Sequence, residues 1–465
     1  MLEKGNIVEN VEITGFGDDG RSVGRADNFV LFVQDAVPGD IADVIIYKKK
    51  KNFAEGRAVK ITRESMHRRQ PFCEHFGTCG GCKWQHLSYE RQLEFKQQQV
   101  SDALIRIGKL NFSEILPIIG SAHQKHYRNK MEYTFSAKTW VEKEKLLTGP
   151  GSNVPGLGFH VPARYDKVLD LKTCYLQEDE SNTIRLEVRK YCLDRGISFY
   201  DAETRQGLMR NLIIRNTTTG EWMVIVVFHS DEAGIREPLL EHLRKQFPFI
   251  TSLQYIINPK VNDFVSDLPV VLHSGRDHLI EAMEDLRFRI SAKAFYQTNS
   301  RQAYELYKIV REFGSLSGSE IVYDLYTGTG TIALFMAKNA RHISGIDYME
   351  DSIADARQNA SANGIENASF HAGDMKDILN EQFIGSTGRP DLIITDPPRA
   401  GMHPQVVSVI RNAGPERIVY VSCNPSTQSR DLQHLQDAYR IEKVQPVDMF
   451  PHTSHVENVV LLVKN

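Results

Sequence analysis

Two polar residues that each follow a strand-like segment could carry covalent chemistry. Cys423 follows the hydrophobic run 417–421, and Asp396 follows a second such run, 392–395. In an open α/β sheet the carboxyl ends of neighbouring strands line one crevice, so this thiol and this carboxylate are predicted to face one substrate. A thiolate can add to C6 of a pyrimidine, which makes C5 electron-rich enough to accept a methyl group from a sulfonium donor. On these residues alone, a small buried cysteine at a strand end stays an alternative.

A glycine-rich turn upstream indicates a bound nucleotide-like ligand. A buried strand, a Gly-Thr-Gly turn at 328–330 and a helix that begins near Thr331 are predicted in succession. The next two predicted strands end in Asp347, which could accept from the hydroxyls of a ribose, and in Asp374, which could accept from an adenine amino group. A dinucleotide-binding domain would explain the glycines equally well. The order of the glycine turn, Asp347, Asp374 and Asp396 along the chain favours S-adenosylmethionine over a nicotinamide cofactor.

The order of these motifs resembles that of bacterial RNA uracil-5-methyltransferases of the RumA/TrmA type, in the longer branch with a TRAM domain and an iron–sulfur cluster. The matching segments are Phe295-Tyr-Gln-Thr-Asn299, 324–330, 396–401, Ser422-Cys-Asn-Pro425 and His452-Thr-Ser-His-Val-Glu457. The resemblance implies an enzyme that transfers a methyl group from S-adenosylmethionine to C5 of a uridine in RNA. It also implies a covalent adduct between the enzyme's cysteine and C6.

The same resemblance implies roles for individual residues. Cys423 would be the nucleophile, and Glu457 would be the base that removes the C5 proton before the thiol leaves. From the sequence alone, Glu457 could equally cap an edge strand. Contacts with the methyl donor are implied for Gln297, Tyr326, Thr331, Asp347, Asp374 and Asp396. Asp396 would also lie beside the target base. Asp347 stands where the family often has glutamate, and Thr327 stands where it often has cysteine.

Four other cysteines have the spacing of a metal or cluster site. Cys73, Cys79 and Cys82 lie close together in a glycine-containing segment, and Cys174 follows far downstream. By spacing alone, an iron–sulfur cluster and a zinc ion are both open possibilities. The resemblance favours a 4Fe-4S cluster. Because a fourth thiolate would close that cluster, we expect a structural or RNA-binding role for it and not radical chemistry. Cys192 has no partner motif and is expected to be a buried helix residue.

The N-terminal segment is predicted to form a small antiparallel barrel. Short apolar runs at 6–17, 22–26, 29–33 and 41–46 are separated by turn residues. The segment resembles a TRAM domain, an OB-like RNA-binding fold. The lysine run 48–51 follows, and phosphate contact is one interpretation of it, although a charge run is commonly only a solvated face.

The length of 465 residues predicts about three domains. We expect a TRAM domain at 1–62, a central α+β iron–sulfur and RNA-binding domain at 63–285, and a Rossmann-like α/β methyltransferase domain at 286–465. The central domain is expected to be discontinuous, with a helix near 88–120 packing on the catalytic domain. A net charge of −3 does not exclude RNA binding, since local patches govern phosphate contact. The absence of a secretory segment, of a long apolar run and of a disulfide pattern predicts a cytoplasmic location and no membrane partner.

The target RNA is the least determined property. We expect a monomer that modifies 23S rRNA, and the T-loop of tRNA is the alternative, because recognition of flipped bases leaves no sequence code. Two other classes stay open. An RNA chaperone would need only the TRAM module and a basic surface, and an amino-methylating enzyme could use an acidic-Pro-Pro motif without a nucleophile.

Overall fold

The N-terminal part of the protein is a closed five-stranded barrel. The structure is a computed structural model that describes residues 3–17, 19–26, 29–141, 154–162 and 164–465. Inward and outward side chains alternate along the barrel strands, and the inward ones include Val44 and Ile46. The barrel confirms the predicted N-terminal module and adds a fifth strand that the sequence did not single out. Its strands, in the order β1-β2-β3-β5-β4, are β1 (Ile7–Phe16), β2 (Ser22–Ala26), β3 (Phe29–Gln34), β4 (Ile41–Lys49) and β5 (Phe53–Arg63).

The central part is built on a mixed seven-stranded sheet with two helices. One face of the sheet packs on both helices, and the other face packs on a two-stranded hairpin. The elements between the barrel and the hairpin are helix α1 (Tyr89–Asp102) with a π-helical turn (Ala103–Ile107), β6 (Phe112–Ile115), β7 (Lys130–Ser136), β8 (Gly156–His160), β9 (Val168–Asp170), α2 (Asp179–Asp194), β10 (Met209–Asn216), β11 (Trp222–Phe228), α3 (Ala233–Gln246), β12 (Ile250–Ile257) and β13 (Val271–Gly275). The sheet order is β13-β12-β11-β10-β7-β8-β9, and the hairpin is β14 (His278–Met283) with β15 (Leu286–Ser291).

The C-terminal part is an eight-stranded sheet with apolar cores on both faces. Its strand order is β18-β17-β16-β19-β20-β22-β21-β6, and the first five strands are parallel. Its elements are α4 (Ser300–Gly314), β16 (Ile321–Leu325), α5 (Thr331–Ala337), β17 (His342–Asp347), α6 (Glu350–Ala362), β18 (Ala368–Ala372), α7 (Met375–Ile378), α8 (Glu381–Thr387), β19 (Leu392–Thr395), α9 (Pro404–Ala413), β20 (Arg417–Ser422), α10 (Pro425–Gln433), β21 (Tyr439–Val447) and β22 (Glu457–Lys464).

The order of the parallel strands places the site. The chain passes outward from β16 through β17 to β18, and then continues on the other side of β16 with β19 and β20. A crevice forms at such a reversal, outside the carboxyl ends of the strands. The sheet therefore confirms the predicted Rossmann-like class and brings the ends of β16, β17, β19 and β20 to one edge.

Helix α1 ties the segment after the barrel to the C-terminal sheet. Lys96 on this helix forms a fully buried ion pair with Asp448, at 2.6 Å. The strand that follows, β6, pairs in parallel with β21 and forms the last strand of the sheet. This part of the chain thus packs on the C-terminal sheet, while the exact domain boundaries stay predictions. No helix in the described parts of the chain combines the length and apolar character that a membrane span requires.

Candidate active site

Cys423 and Glu457 lie at the meeting point of two neighbouring strands. Cys423 directly follows β20, and the Asn424 side chain then caps α10 by accepting from Ser426 N at 3.1 Å. Glu457 is the first residue of β22, which runs antiparallel to β20 with Asn458 opposite Ser422. The end of one strand and the start of the other therefore coincide. Since β22 lies between β20 and β21, the edge-strand alternative for Glu457 is wrong.

Asp396 supplies a second carboxylate at the same edge. It follows β19, which is the parallel neighbour of β20, and its N–H donates to the Leu325 carbonyl at 3.3 Å. Burial raises the pKa of Asp396 to about 7, and the charge of Asp324 adds to the shift. The predicted juxtaposition of Asp396 and Cys423 is therefore present in the sheet.

The three acids influence one another electrostatically. The pKa of the Cys423 thiol is raised to about 11, first by burial and then by the charges of Glu457 and Asp396, while the cationic Arg399 acts in the opposite direction. Burial and the charge of Asp396 also raise the pKa of Glu457 well above its ordinary value. Negative charge is costly here because like charges share a poorly solvated site. The arrangement favours proton exchange within the group over three separate ionisations.

The glycine turn after β16 forms an open concavity. Tyr326 has a φ of +63°, which is a strained conformation for a non-glycine residue and recurs at functional sites. A Cβ added at Gly328 would meet no atom within 4 Å, so the space in front of the turn is free for a ligand. A Cβ added at Gly330 would lie 3.0 Å from Ala356 and Phe370, so this glycine allows close packing of the turn.

Asp347 is fixed against this turn. Its carboxylate accepts from Gly328 N at 3.0 Å and from Met349 N at 2.9 Å, and the residue is largely buried at the end of β17. The carboxylate thus lies beside the free space in front of Gly328. This is where a ligand hydroxyl could reach it.

The loop with Gln297 connects the two halves of the site. Thr329 of the glycine turn donates to the Phe295 carbonyl at 3.4 Å, and Asn299 Nδ2 donates to the Met449 carbonyl at 2.9 Å. The Gln297 carbonyl accepts from Asn129 Nδ2 at 2.9 Å. The loop therefore bridges the glycine turn and the segment that leads to Glu457.

Thr331 and Asp374 each have a hydrogen-bond partner nearby. The Thr331 hydroxyl forms a buried hydrogen bond with Tyr307 at 3.0 Å. Asp374 has an exposed carboxylate, which accepts from Lys376 N at 3.1 Å and pairs with Lys376 Nζ at 3.0 Å. That pairing lowers the pKa of Asp374. Contacts of these two residues with a methyl donor stay predictions, and the structure gives each of them a local partner instead.

The sequence interpretation gave no role to two residues of this site. Asp324 is buried in β16 and accepts from the Thr327 hydroxyl at 2.5 Å, and its pKa is raised to about 7 by burial. Its signal in the sequence is a carboxylate inside an otherwise hydrophobic strand. Arg399 follows Asp396-Pro-Pro directly, and its charge opposes the rise in the Cys423 pKa.

The other predicted cysteine set lines one cavity. Cys73, Cys79, Cys82 and Cys174 all border a cavity of about 350 Å³. Burial raises the pKa of Cys79 to about 11 and that of Cys82 to about 12, and the neighbouring thiols add to both shifts. Among the residues that the structure describes, no three His, Cys, Asp or Glu side chains are grouped closely enough to hold one metal ion. Cys192 lies fully buried in α2, outside the lining of this cavity.

Comparison with known proteins identifies the family. The sequence pattern of the tRNA (Uracil-5-)-methyltransferase family matches residues 272–465, and that of the TRAM domain matches residues 5–59. A protein from Porphyromonas gingivalis named an uncharacterized RNA methyltransferase is 54% identical over 98% of this chain and 100% of its own length. The chain belongs to the RNA uracil-5-methyltransferase family. A similarly named protein from Bacteroides thetaiotaomicron is 53% identical over 96% of this chain and 99% of its own length.

A solved structure extends this likeness to the whole fold. The tRNA (uracil-54, C5)-methyltransferase of Pyrococcus abyssi, in complex with S-adenosyl-L-homocysteine, matches with a TM-score of 0.75 and 28% identity. The match covers 98% of this chain and 100% of that chain. This RNA uracil-5-methyltransferase is therefore an S-adenosylmethionine-dependent enzyme with an N-terminal TRAM domain, as the sequence predicted.

Proposed function

We propose that this enzyme methylates C5 of one uridine in a folded RNA through a covalent bond between Cys423 Sγ and C6. The observation that carries the proposal is the adjacency of Cys423, after β20, and Glu457, at the start of β22. Asp396 at the end of β19 completes a group in which a nucleophile and two proton acceptors share one edge.

The proposed reaction begins with a uridine taken out of its stack, since C6 is unreachable in a paired base. The Cys423 thiol loses its proton to the Asp396 carboxylate, and Sγ bonds to C6, so that Glu457 stays free for the later step. The C5–C6 electron pair is then available at C5, which bonds to the donor's methyl group while the sulfonium–methyl bond breaks and S-adenosylhomocysteine leaves. Glu457 takes the proton from C5, the C5–C6 double bond forms again, and the C6–Sγ bond breaks. The leaving thiolate regains its proton from Asp396, and Glu457 passes the C5 proton to solvent, so each turnover releases one proton.

The raised pKa values of Cys423 and Glu457 fit the first and the last step of the proposed reaction. A thiol with a pKa of about 11 is almost entirely protonated at neutral pH, so attack needs a proton acceptor in contact with it. A carboxylate with a raised pKa is a stronger base than an ordinary one, which suits Glu457 for removal of a carbon-bound proton. The same desolvation thus weakens the resting nucleophile and strengthens the base.

The residues that we propose to bind the methyl donor surround the glycine turn. The free space in front of Gly328 and the fixed carboxylate of Asp347 suit a nucleoside with ribose hydroxyls. We assign further donor contacts to Tyr326, Gln297 and Asp396, which border the same edge. S-adenosylmethionine supplies an electrophilic methyl group when bound there, and the chain's own residues orient it toward C5.

We propose that the four-cysteine cavity holds a 4Fe-4S cluster. Cys73, Cys79, Cys82 and Cys174 would be the ligands. A cavity of about 350 Å³ lined by four thiols has room for an inorganic core of several atoms. Cys174 is buried, the other three cysteines are partly buried, and the charges of the neighbouring thiols raise the pKa of Cys79 and of Cys82. A bound cationic core would stabilise their thiolates. The thiols would need a reducing compartment, in agreement with the predicted cytoplasmic location.

We favour 23S rRNA as the target, because the family branch with a TRAM domain and four such cysteines resembles rRNA enzymes. The T-loop of tRNA is the second candidate, and one observation supports it: the whole-length structural relative is a tRNA (uracil-54, C5)-methyltransferase. The difference between these substrates lies in RNA shape, which the TRAM domain and the central domain would recognise together.

The testing experiment maps 5-methyluridine by mass spectrometry in rRNA and tRNA from cells with and without the gene. Loss of one 23S uridine methyl supports the full proposal, whereas loss from tRNA keeps the chemistry and changes the target. A denaturation-resistant complex between the enzyme and 5-fluorouridine RNA separates C5 chemistry from amino-methylation and from chaperone activity. An unchanged methylation map, together with no such complex, would refute the proposed function.

A further inference from the structure

The segment that leads into Glu457 is held by a part of the chain far away in sequence. We name residues 448–456, between β21 and β22, the base loop. At its start, Asp448 pairs with the buried Lys96 of α1 and accepts from the Tyr89 hydroxyl at 2.7 Å. Lys96 also donates to the Phe450 carbonyl at 3.0 Å. Helix α1 therefore fixes the path of the base loop, which ends at the proposed base.

His452 in the middle of the base loop is strained. Its φ of +64° lies in the left-handed region, which a non-glycine residue keeps only when surrounding contacts impose it. Part of this conformation is imposed by residues 73–84, which we name the cysteine segment. Its Lys83 N and Trp84 N donate to the His452 carbonyl at 2.8 and 3.0 Å. Both donors directly follow Cys82, so the cysteine segment and the base loop are joined through one carbonyl.

Gln92 of α1 contacts both the backbone and the ring of His452. It is fully buried, and its Oε1 accepts from His452 N at 2.9 Å while its Nε2 lies 3.2 Å from His452 Nδ1. The same Nε2 donates to the Trp84 and Leu87 carbonyls at 3.0 and 2.9 Å. The amide oxygen of Gln92 thus holds the backbone of His452, and its two amide hydrogens are shared among the Trp84 carbonyl, the Leu87 carbonyl and the His452 ring.

We propose that Gln92 is a positioning residue that keeps the base loop in the strained form in which Glu457 faces the reacting uridine. The inference rests on the proposed function and adds a residue that lies far from Cys423 in sequence and touches no substrate. Without Gln92, His452 loses the partner of its N–H and one contact of its ring, and the strained backbone can relax. Glu457 then moves with the loop, whereas Cys423, directly after β20, stays in place.

This arrangement predicts a defect confined to the last chemical step. Attack by Cys423 and methyl transfer to C5 precede the step that needs Glu457. If the base is misplaced, the proton stays on C5, the C6–Sγ bond persists, and methylated RNA remains attached to the enzyme. A merely structural role of Gln92 would lower all steps in proportion to the folded fraction, so the ratio of trapped to released product would not change.

The experiment compares Gln92→Ala with Gln97→Ala. Gln97 lies on the same helix and also makes two hydrogen bonds, but to Leu116 and Ile118 outside the base loop. Each full-length enzyme reacts in a single turnover with methyl-labelled S-adenosylmethionine and transcripts of 23S rRNA and tRNA. Denaturing gels then separate labelled RNA bound to protein from free labelled RNA.

We expect Gln92→Ala to release methylated RNA at least about tenfold more slowly than Gln97→Ala, with label accumulating in the protein-bound band. Gln92→Met preserves the volume of the side chain and removes its hydrogen bonds, so it should trap the adduct even if Gln92→Ala folds poorly. Equal trapped fractions in the Gln92 and Gln97 variants would overturn the positioning role while leaving the proposed function intact. A wild-type enzyme that labels neither RNA would instead remove the proposed function and this inference together.

Discussion

The catalytic edge and the cysteine cavity contain thiols with similar acidity but different neighbours. Burial raises the pKa to about 11 at both Cys423 and Cys79. Around Cys423 the further contributions come from Glu457 and Asp396, whereas around Cys79 they come from other thiols. A thiol beside carboxylates can pass its proton to them and attack a carbon. A thiol beside thiols gains stability only when a cationic core arrives.

The comparison teaches that burial alone does not define a cysteine's role. Cys192 is also buried, with a pKa raised to about 12, but a lone arginine is the only charged neighbour that affects it among the described residues. It has neither a proton acceptor nor a set of fellow ligands, and its packing in α2 explains it. The neighbours therefore distinguish a nucleophile, a ligand and a core residue.

Replacing Cys423 should have the largest effect. We expect Cys423→Ala to lower 5-methyluridine formation by roughly 10⁴-fold or more, because Cys423 is the nucleophile of the proposed reaction. Single-turnover methylation and trapping with 5-fluorouridine RNA measure both activities. Cys192→Ala serves as the matched control and should retain them. Substantial methylation by Cys423→Ala would show that Cys423 is not the nucleophile, and the proposed difference between the catalytic edge and the cysteine cavity would be wrong.

Replacing a ligand of the cavity should remove the cluster. We expect Cys82→Ser, purified without oxygen, to lose most bound iron and acid-labile sulfide and to unfold several degrees lower, since metal binding contributes to folding. Elemental analysis and thermal unfolding measure these changes, with Cys192→Ser as the control. Zinc in the wild-type protein would replace the cluster assignment, and unchanged iron in Cys82→Ser would contradict its role as a ligand.

Two of the three carboxylates predicted to contact the donor, Asp347 and Asp374, should differ in their contribution to donor binding. The Asp347 carboxylate is buried and fixed against the glycine turn by Gly328 N and Met349 N. Asp347→Ala should therefore weaken S-adenosylmethionine binding by tens of fold, through loss of the proposed hydrogen bonds to the ribose hydroxyls. Asp374 is exposed and already paired with Lys376, so Asp374→Ala should change binding less than about threefold. Calorimetric titration with S-adenosylhomocysteine compares them. Equal losses of affinity in the two variants would show that both carboxylates contribute to donor binding, as the sequence predicts.

The smallest expected effect is electrostatic. Since the charge of Glu457 raises the pKa of Cys423, Glu457→Gln should move that pKa down toward its ordinary value. The thiolate fraction at a given pH then rises, and alkylation of Cys423 by iodoacetamide should reach half its maximal rate at a lower pH. Mass spectrometry of the Cys423 peptide follows this rate. Asp374→Asn is the control, and an identical pH profile in Glu457→Gln would show that burial alone sets the acidity.

The sequence predicted local elements well where one periodicity dominated. The barrel runs, the buried strands β19 and β20 and the helix that begins at Thr331 all follow from apolar pattern and turn residues. Strand β5 was not singled out, because its apolar residues alternate with charged ones along much of its length. The parallel β6 was also not predicted, since its four residues gain their partner only from β21, more than 300 positions away.

The sequence by itself determined the fold class, the family and the types of reactive group, because motif order and turn chemistry are local properties of the chain. Only the tertiary structure decided which groups meet. It placed Glu457, at the start of a central strand, beside Cys423, paired Asp374 with Lys376, and connected Gln92 to His452 across 360 positions. Such contacts depend on strand order and on the shared burial of charges, and both arise only when distant segments pack against one another.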